Sequence, residues 1–301
     1  MALATAARPA VRVGARRRPD AARVVLQAFL IAMCAVWLFP LLWAVYEALR
    51  PIADTTLNGY VSLPHQSLSF DNFRSAWTGA ELPHFYLNTL VVAVPGVVVT
   101  LIVASMLAFA ISQFSWKFNI LVLMIFTAGN LLPPQVIIVP LYWVYLNTPM
   151  PVLSDNGLLY DQYVGVILIH IVFQIGFATF VLSNYMKTIT KEITESALVD
   201  GANVLRIWWD VILPLCRPAL AAMATLLFTF IYNDFFWALI LMKSGSKRPI
   251  VSALNNLQGE FFINYNLLAA GALLAAVPSV LVFIAFQRHF VRGLTLGATK
   301  G

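Results

Sequence analysis

Apolar residues run along the chain in six stretches, approximately 24–48, 85–112, 119–143, 163–186, 216–242 and 267–287. As helix, at 1.5 Å per residue, stretches of this length cross about 30 Å of hydrocarbon. Between them the pattern turns polar: Arg50-Pro51 onward, Ser115-Trp116-Lys117, Asn147 to Asp161, Lys187 to Pro214 and Lys243 to Asn266. Within lipid every backbone N–H and C=O needs a partner inside the chain, so open-chain spans are helices. The pattern predicts an all-α transmembrane protein with six spans.

Composition strengthens this reading. Of 301 residues, 60% are hydrophobic and 11% are charged, and the mean hydropathy is +0.82. Soluble domains carry roughly 25% charged residues, and one core cannot hide so much apolar surface. The net charge of +6 would suggest nucleic acid in a soluble protein. Its placement says otherwise. With both termini cytoplasmic, 14 of the 19 Lys and Arg residues lie inside and five (Arg50, Arg74, Lys243, Lys247 and Arg248) lie outside. The excess is a topology signal; membrane lipid is the expected surrounding, with no nucleic-acid partner. Three of the five exceptions cluster at 243–248 and call for another explanation. The first stretch exceeds the roughly 7–15 apolar residues of a signal-peptide h-region and ends in Glu47-Ala48-Leu49-Arg50-Pro51 rather than a small-residue cleavage site, so it reads as a retained helix anchored by Arg16-Arg17-Arg18.

Catalytic chemistry is not signalled. No GxxxxGK[ST], HExxH or GxSxG occurs. His65, His84, His170 and His289 are scattered, and Cys34 and Cys216 are far apart. The reading is a transport subunit with no catalytic residue, no metal site and no cofactor of its own.

The polar segment 187–214 is the most informative. Thr190 is placed to cap a short helix with Glu192 in its first turn. Asp200-Gly201 is placed to end it, glycine accepting the left-handed conformation. Asn203 is placed to cap a second helix with Trp208, Trp209 and Ile212 along one side, and Pro214 to close it. The result is a helix–turn–helix knob with Ser196, Ala197 and Ala202 around its tip. An interfacial amphipathic helix pair is the plainer alternative.

Glu195-Ser196-Ala197, then Asp200-Gly201-Ala202, then Val211-x-Leu213-Pro214 resembles the EAA loop of ABC importer permeases, with Ser196 and Val211 as small departures. Lys187-Thr-Ile-Thr-Lys-Glu-Ile, Leu132-Pro133-Pro134-Gln135, Tyr232-Asn233-Asp234-Phe235 and Leu68-Ser69-Phe70-Asp71-Asn72-Phe73 resemble further segments of carbohydrate permeases. The C-terminus from Gln287 to Gly301 is similar to that of the shorter permease in maltose-type importers. The likeness covers roughly 24–301.

The resemblance implies a six-helix type I ABC importer permease fold with a cytoplasmic coupling helix. It implies a cytoplasmic tail 1–23, a permease domain 24–292 containing the EAA loop 187–214, and a C-terminal tail 293–301. Glu195, Ser196, Ala197, Asp200, Gly201 and Ala202 would dock in a cytoplasmic ATPase, and Thr295, Gly297, Lys300 and Gly301 would touch it. Partners would be a second homologous permease, two ATPase subunits carrying ATP and Mg, and an extracytoplasmic solute-binding protein, at a bacterial or archaeal plasma membrane. The loop 243–266 would reach that binding protein through Asn255, Asn256 and Gln258; a merely solvated loop is the alternative.

Within the spans, Asp234 is costly to place in lipid and so faces protein or water. With Asn233 and Gln135 it is a candidate for the translocation path or gate, and Gln174 and His170 occur in the fourth span. Interhelical hydrogen bonding is the competing reading. The function expected is uptake of a sugar or oligosaccharide. The alternatives are a stand-alone secondary transporter using Asp234, or an importer of glycerol phosphates or polyols.

Overall fold

The computed structural model describes residues 21–114, 117–131, 133–257 and 263–295. Backbone contacts divide the chain into two units, Met1–Tyr46 and Glu47–Gly301. The first unit holds most of helix α1 (Ala21–Leu49). Val25, Ile31, Trp37 and Leu42 are exposed along it, as befits a helix whose surroundings are apolar.

The second unit is a helical bundle. After a short helix α2 (Ile52–Asn58) come the long α3 (Leu82–Gln113), then α4 (Asn119–Leu131), α5 (Ile138–Asn147) and α6 (Tyr163–Met186). The knob follows as α7 (Lys191–Val199) and α8 (Val204–Leu215), the latter with a π turn at Ile207–Ile212. Then come α9 (Arg217–Tyr232), α10 (Phe236–Leu241) and α11 (Tyr265–Thr295). Among the described residues, four helices are long and apolar enough to cross a membrane, and two bent pairs, Asn119–Gly129 with Pro134–Asn147 and Val204–Leu215 with Arg217–Tyr232 (81°), raise the number to as many as six.

The core sits where α3 packs along α6, with α9 between α3 and α11. Ala93, Ala104, Ala108 and Ala178 are fully buried in it beside Leu182 and Met186. Small side chains let helix backbones approach closely, which drives packing where lipid removes the hydrophobic contrast. At Gly165 an added Cβ would lie 2.7 Å from the Leu159 carbonyl oxygen and 2.9 Å from the Tyr145 ring, so only glycine fits. Polarity is distributed as a membrane demands. Asn88, Thr89, Thr100, Ser105 and Gln113 are buried on α3, while Leu87, Val91, Val98 and Ile102 face outward.

Four predicted spans appear as continuous helices; two do not. The third stretch breaks near Pro133 with an 86° bend between Asn119–Gly129 and Pro134–Asn147, where the pattern predicts one continuous span. Consecutive prolines remove two N–H donors and exclude the α conformation before them. The fifth stretch breaks at Asn233-Asp234-Phe235, between α9 and α10. The last helix runs beyond its predicted end, to Thr295.

Candidate functional site

The knob forms from the residues that suggested it. The α7 helix begins after Thr190, whose side chain makes no cap hydrogen bond. It ends at Asp200, with Gly201 at φ +80°. That angle is strained for an L side chain. The Ala202 N–H then donates to the Ala197 carbonyl at 3.0 Å, closing the turn. Asn203 caps α8 by accepting from the Arg206 N–H at 2.8 Å. One expectation fails here. Ile207, Trp208 and Ile212 are buried, but Trp209 is exposed, because the π turn shifts the helical phase within Ile207–Ile212.

At the tip Glu195, Ser196, Asp200 and Gly201 are exposed, and Ala197 and Ala202 are half-buried. Glu192, Glu195 and Asp200 bring negative charge beside the exposed apolar side chains of Ile193, Leu198 and Val199. Two residues that sequence reasoning overlooked hold this tip to the bundle. Buried Thr194 donates through Oγ1 to Gln113 Oε1 at 3.0 Å, and Gln113 Nε2 donates to the Met186 carbonyl at 3.1 Å. The available signal was a glutamine at the last position of the long helix α3.

The break in the fifth stretch places Asp234 differently from the expected mid-helix acid. Its Oδ1 accepts from the Trp237 N–H at 3.2 Å and its Oδ2 from the Ala238 N–H at 3.1 Å. The carboxylate thus caps α10, satisfying donors that the break leaves free. Asn233 Nδ2 donates to the Thr229 carbonyl at 2.8 Å and to Ser279 Oγ at 3.0 Å on α11. Gln135 is exposed on the Pro134–Ile137 turn, and no hydrogen bond joins it to Asn233 or Asp234 among the described residues.

At the end of the bundle away from the knob, a polar rim replaces a free loop. Lys247 Nζ donates to Asp155 Oδ2 at 2.6 Å and to the Asp161 carbonyl at 3.1 Å. Asp161 accepts from the Ser244 N–H at 2.9 Å and from its hydroxyl. Asn88 donates to the carbonyls of Ser246 and Arg248, and Tyr163 donates to Asn88. The Lys247 and Gln162 hydrogen bonds hold the Asp155 carboxyl down at about 2. Asn256 donates to the Gly245 carbonyl at 3.0 Å and accepts from Arg248 at 3.2 Å, and Asn255 is half-buried. Gln258 lies outside the described residues.

A second polar cluster follows α1. Arg50 is fully buried, donating to Asp54 Oδ2 at 2.9 and 3.0 Å and to Glu47 at 3.3 Å. Burial pushes the Asp54 carboxyl up, but hydrogen bonds from Arg50, Asn58 and the His65 N–H outweigh it and leave the group below its ordinary value. Asn266 at the start of α11 donates to Glu47, and Thr55 donates to Asn266. Three of the five basic residues that the charge count leaves in the minority, Arg50, Lys247 and Arg248, are thus engaged within the chain.

The C-terminal candidates are less defined. Thr295 is the last residue of α11, and Gly297, Lys300 and Gly301 lie outside the described residues. Among the described residues no cluster of three His, Cys, Asp or Glu suits a metal ion.

Comparison with known proteins places this architecture. Residues 96–296 match the family described as binding-protein-dependent transport system inner membrane component. The arabinooligosaccharides transport system permease protein AraQ of Halalkalibacterium halodurans is 32% identical, over 90% of this chain and 93% of its own. The melibiose/raffinose/stachyose import permease protein MelC of Bacillus subtilis is 30% identical, over 78% of this chain and 82% of its own. Among solved structures, a chain of a bacterial ABC transporter involved in the import of the acidic polysaccharide alginate superposes with a TM-score of 0.73 at 24% identity. That match covers 92% of this chain and 100% of the other, which is a likeness of fold.

Proposed function

We propose, starting from the family to which this chain belongs, the binding-protein-dependent transport system inner membrane components, that it is the permease subunit of an ABC importer for a sugar or oligosaccharide. The transported class follows relatives named for arabinooligosaccharides and for melibiose, raffinose and stachyose. The observation that carries the coupling role is the knob itself. It is tied to the spans through Thr194, Gln113 and Met186, yet offers Glu195, Ser196, Asp200 and Gly201 to a partner.

In this reading the knob docks in a cleft of a cytoplasmic ATPase subunit. Glu195 meets a basic side chain there, and Gly201 makes the turn that Asp200 and Ala202 flank. The ATPase subunits, two in number, hold ATP and Mg; this chain holds neither and contributes no catalytic residue. A second, homologous permease completes the path, and a solute-binding protein delivers sugar at the opposite face. The orientation is termini inside, in a bacterial or archaeal plasma membrane. The tail 293–301, with Thr295, Gly297, Lys300 and Gly301, reaches the ATPases. Asn233 and Asp234 belong to the gate rather than to a stand-alone ion relay, because the Asp234 carboxylate already caps α10.

The rim changes the account of the outer loop. Lys247, Arg248 and Asn256 hold the loop in shape, so a binding protein meets a built surface rather than a free loop. Exposed Lys243 is its accessible charge.

Gentle detergent purification of the tagged chain from its native host, with mass-spectrometric stoichiometry, tests the reading. Recovery of one homologous permease and two ATPase copies is expected. A transport-active membrane from which the chain emerges with no ATPase would overturn the coupling role.

A further inference from the structure

The fourth span contains a polar atom that the family reading leaves unexplained. His170, on α6, is 4% exposed. Its Nε2 is sealed from solvent and makes no hydrogen bond. It stands 3.5 Å from Oδ2 of Asp234 at the break between α9 and α10. Buried polar groups are nearly always paired, so a bare one asks for a reason. A bond needs a separation of about 2.7–3.2 Å, so an approach of about half an ångström would make one.

The surroundings allow that movement. The Asn233 and Asp234 N–H groups close α9 onto the Thr229 and Ile231 carbonyls, the Phe235 carbonyl opens α10 by accepting from Leu239, and the α10 that would move has only six residues. Asn233 holds the break to Ser279, which follows Pro278 within α11. On the other side the Trp237 ring lies 5.1 Å from that of Phe173 on α6. The break is therefore gripped from the fourth and the sixth spans, and only the grip on the fourth is incomplete.

We propose that His170 and Asp234 form a latch between the fourth span and the break in the fifth, open in this conformation and closed in the alternate state of the transport cycle. The inference rests on the importer reading above, because only a cycle between two access states gives the latch something to do. A contact made in one state and absent in the other biases the equilibrium between them. His170 acts through Asp234 and is a positioning residue.

The test uses the assembled complex with its ATPases and binding protein in proteoliposomes, with radiolabelled raffinose and arabinotriose as probes. His170→Phe keeps bulk and removes the nitrogen; His170→Gln restores a polar atom within reach; Asp234→Asn keeps one acceptor oxygen for the α10 cap and removes the charge. His170→Phe is expected to lower the maximal uptake rate by about tenfold. KM should stay within about twofold, ATP hydrolysis should continue, and His170→Gln should transport nearly as wild type. The double variant His170→Phe with Asp234→Asn should be no slower than the slower single one. Wild-type uptake by His170→Phe, equal losses in the Phe and Gln variants, or additive losses in the double variant would each overturn the latch. The wild-type complex trapped with ATP and vanadate supplies a check that needs no variant. Nε2 and Oδ2 within 3.2 Å there would support the latch, and 3.5 Å or more would overturn it. Wild-type complex without ATP-driven uptake of either probe, and with no ATPase bound, would instead remove the importer reading on which the latch rests.

Discussion

Glu195 is the residue on which the proposed docking of the knob is most directly tested. Its side chain is exposed on a helix that the bundle holds in place, so substitution there leaves the fold intact and changes only what a partner meets. Glu195→Lys is expected to leave the chain inserted and folded while uptake falls on the order of tenfold or more, because a reversed charge in a desolvated cleft leaves two like charges facing. Uptake by membrane vesicles, with recovery of ATPase in pull-down, measures both; wild-type values in both would remove Glu195 from the docking surface. Neighbouring residues were legible to different degrees. Gly201 and Asn203 were readable because turn and cap chemistry is local, and both do what their identities suggest. Trp209 was not, because a helical wheel assumes 3.6 residues per turn and the π turn breaks that phase.

Elements set how the knob is held to the bundle. The α7 helix has nine residues and could not persist alone. Its position depends on the buried Thr194–Gln113–Met186 chain of hydrogen bonds. Gln113→Leu should leave the Thr194 hydroxyl and the Met186 carbonyl without these partners, at about 1–3 kcal/mol. Hydrogen exchange should then rise in 191–202 while α3 and α6 stay protected; unchanged exchange would mean that the knob is held by its apolar contacts alone. The third and fifth spans make the complementary point. Their hydropathy is continuous, so a window average merges each into one helix, whereas Pro133-Pro134 divides the third and Asn233-Asp234-Phe235, with Asp234 as the cap, divides the fifth. The dividing residues were visible in the sequence, but the choice between kink and break lay in the packing.

For the whole molecule, the rim and the Arg50 cluster join segments distant in sequence: 155 with 247, 161 with 244, 88 with 246, and 47 with 266. The Asp155 carboxyl lies at about 2 instead of its ordinary 3.8. A group depressed in the folded state stabilises above its unfolded value and loses that contribution as pH falls through the folded one. The rim should therefore hold at pH 5 and loosen between about 4 and 2. In Lys247→Met, which lacks the principal cause of the depression, loosening should begin at higher pH. Limited proteolysis of the 147–162 segment across this range reads the transition; identical midpoints in variant and parent would exclude Lys247 as its cause.

Sequence by itself determined the class of the molecule, the positions of the apolar segments and the chemistry of the knob. These depend on composition and on contacts between near neighbours, which a linear pattern carries. Tertiary structure decided where two of those segments break, which residues anchor the knob, and how the rim joins segments distant in sequence. Lys247 is held because Asp155 reaches it, and buried Glu47 because Asn266 donates to it. A buried charge is acceptable only with its partners in place. Those partners include groups from segments scores of residues apart, which no local pattern brings together.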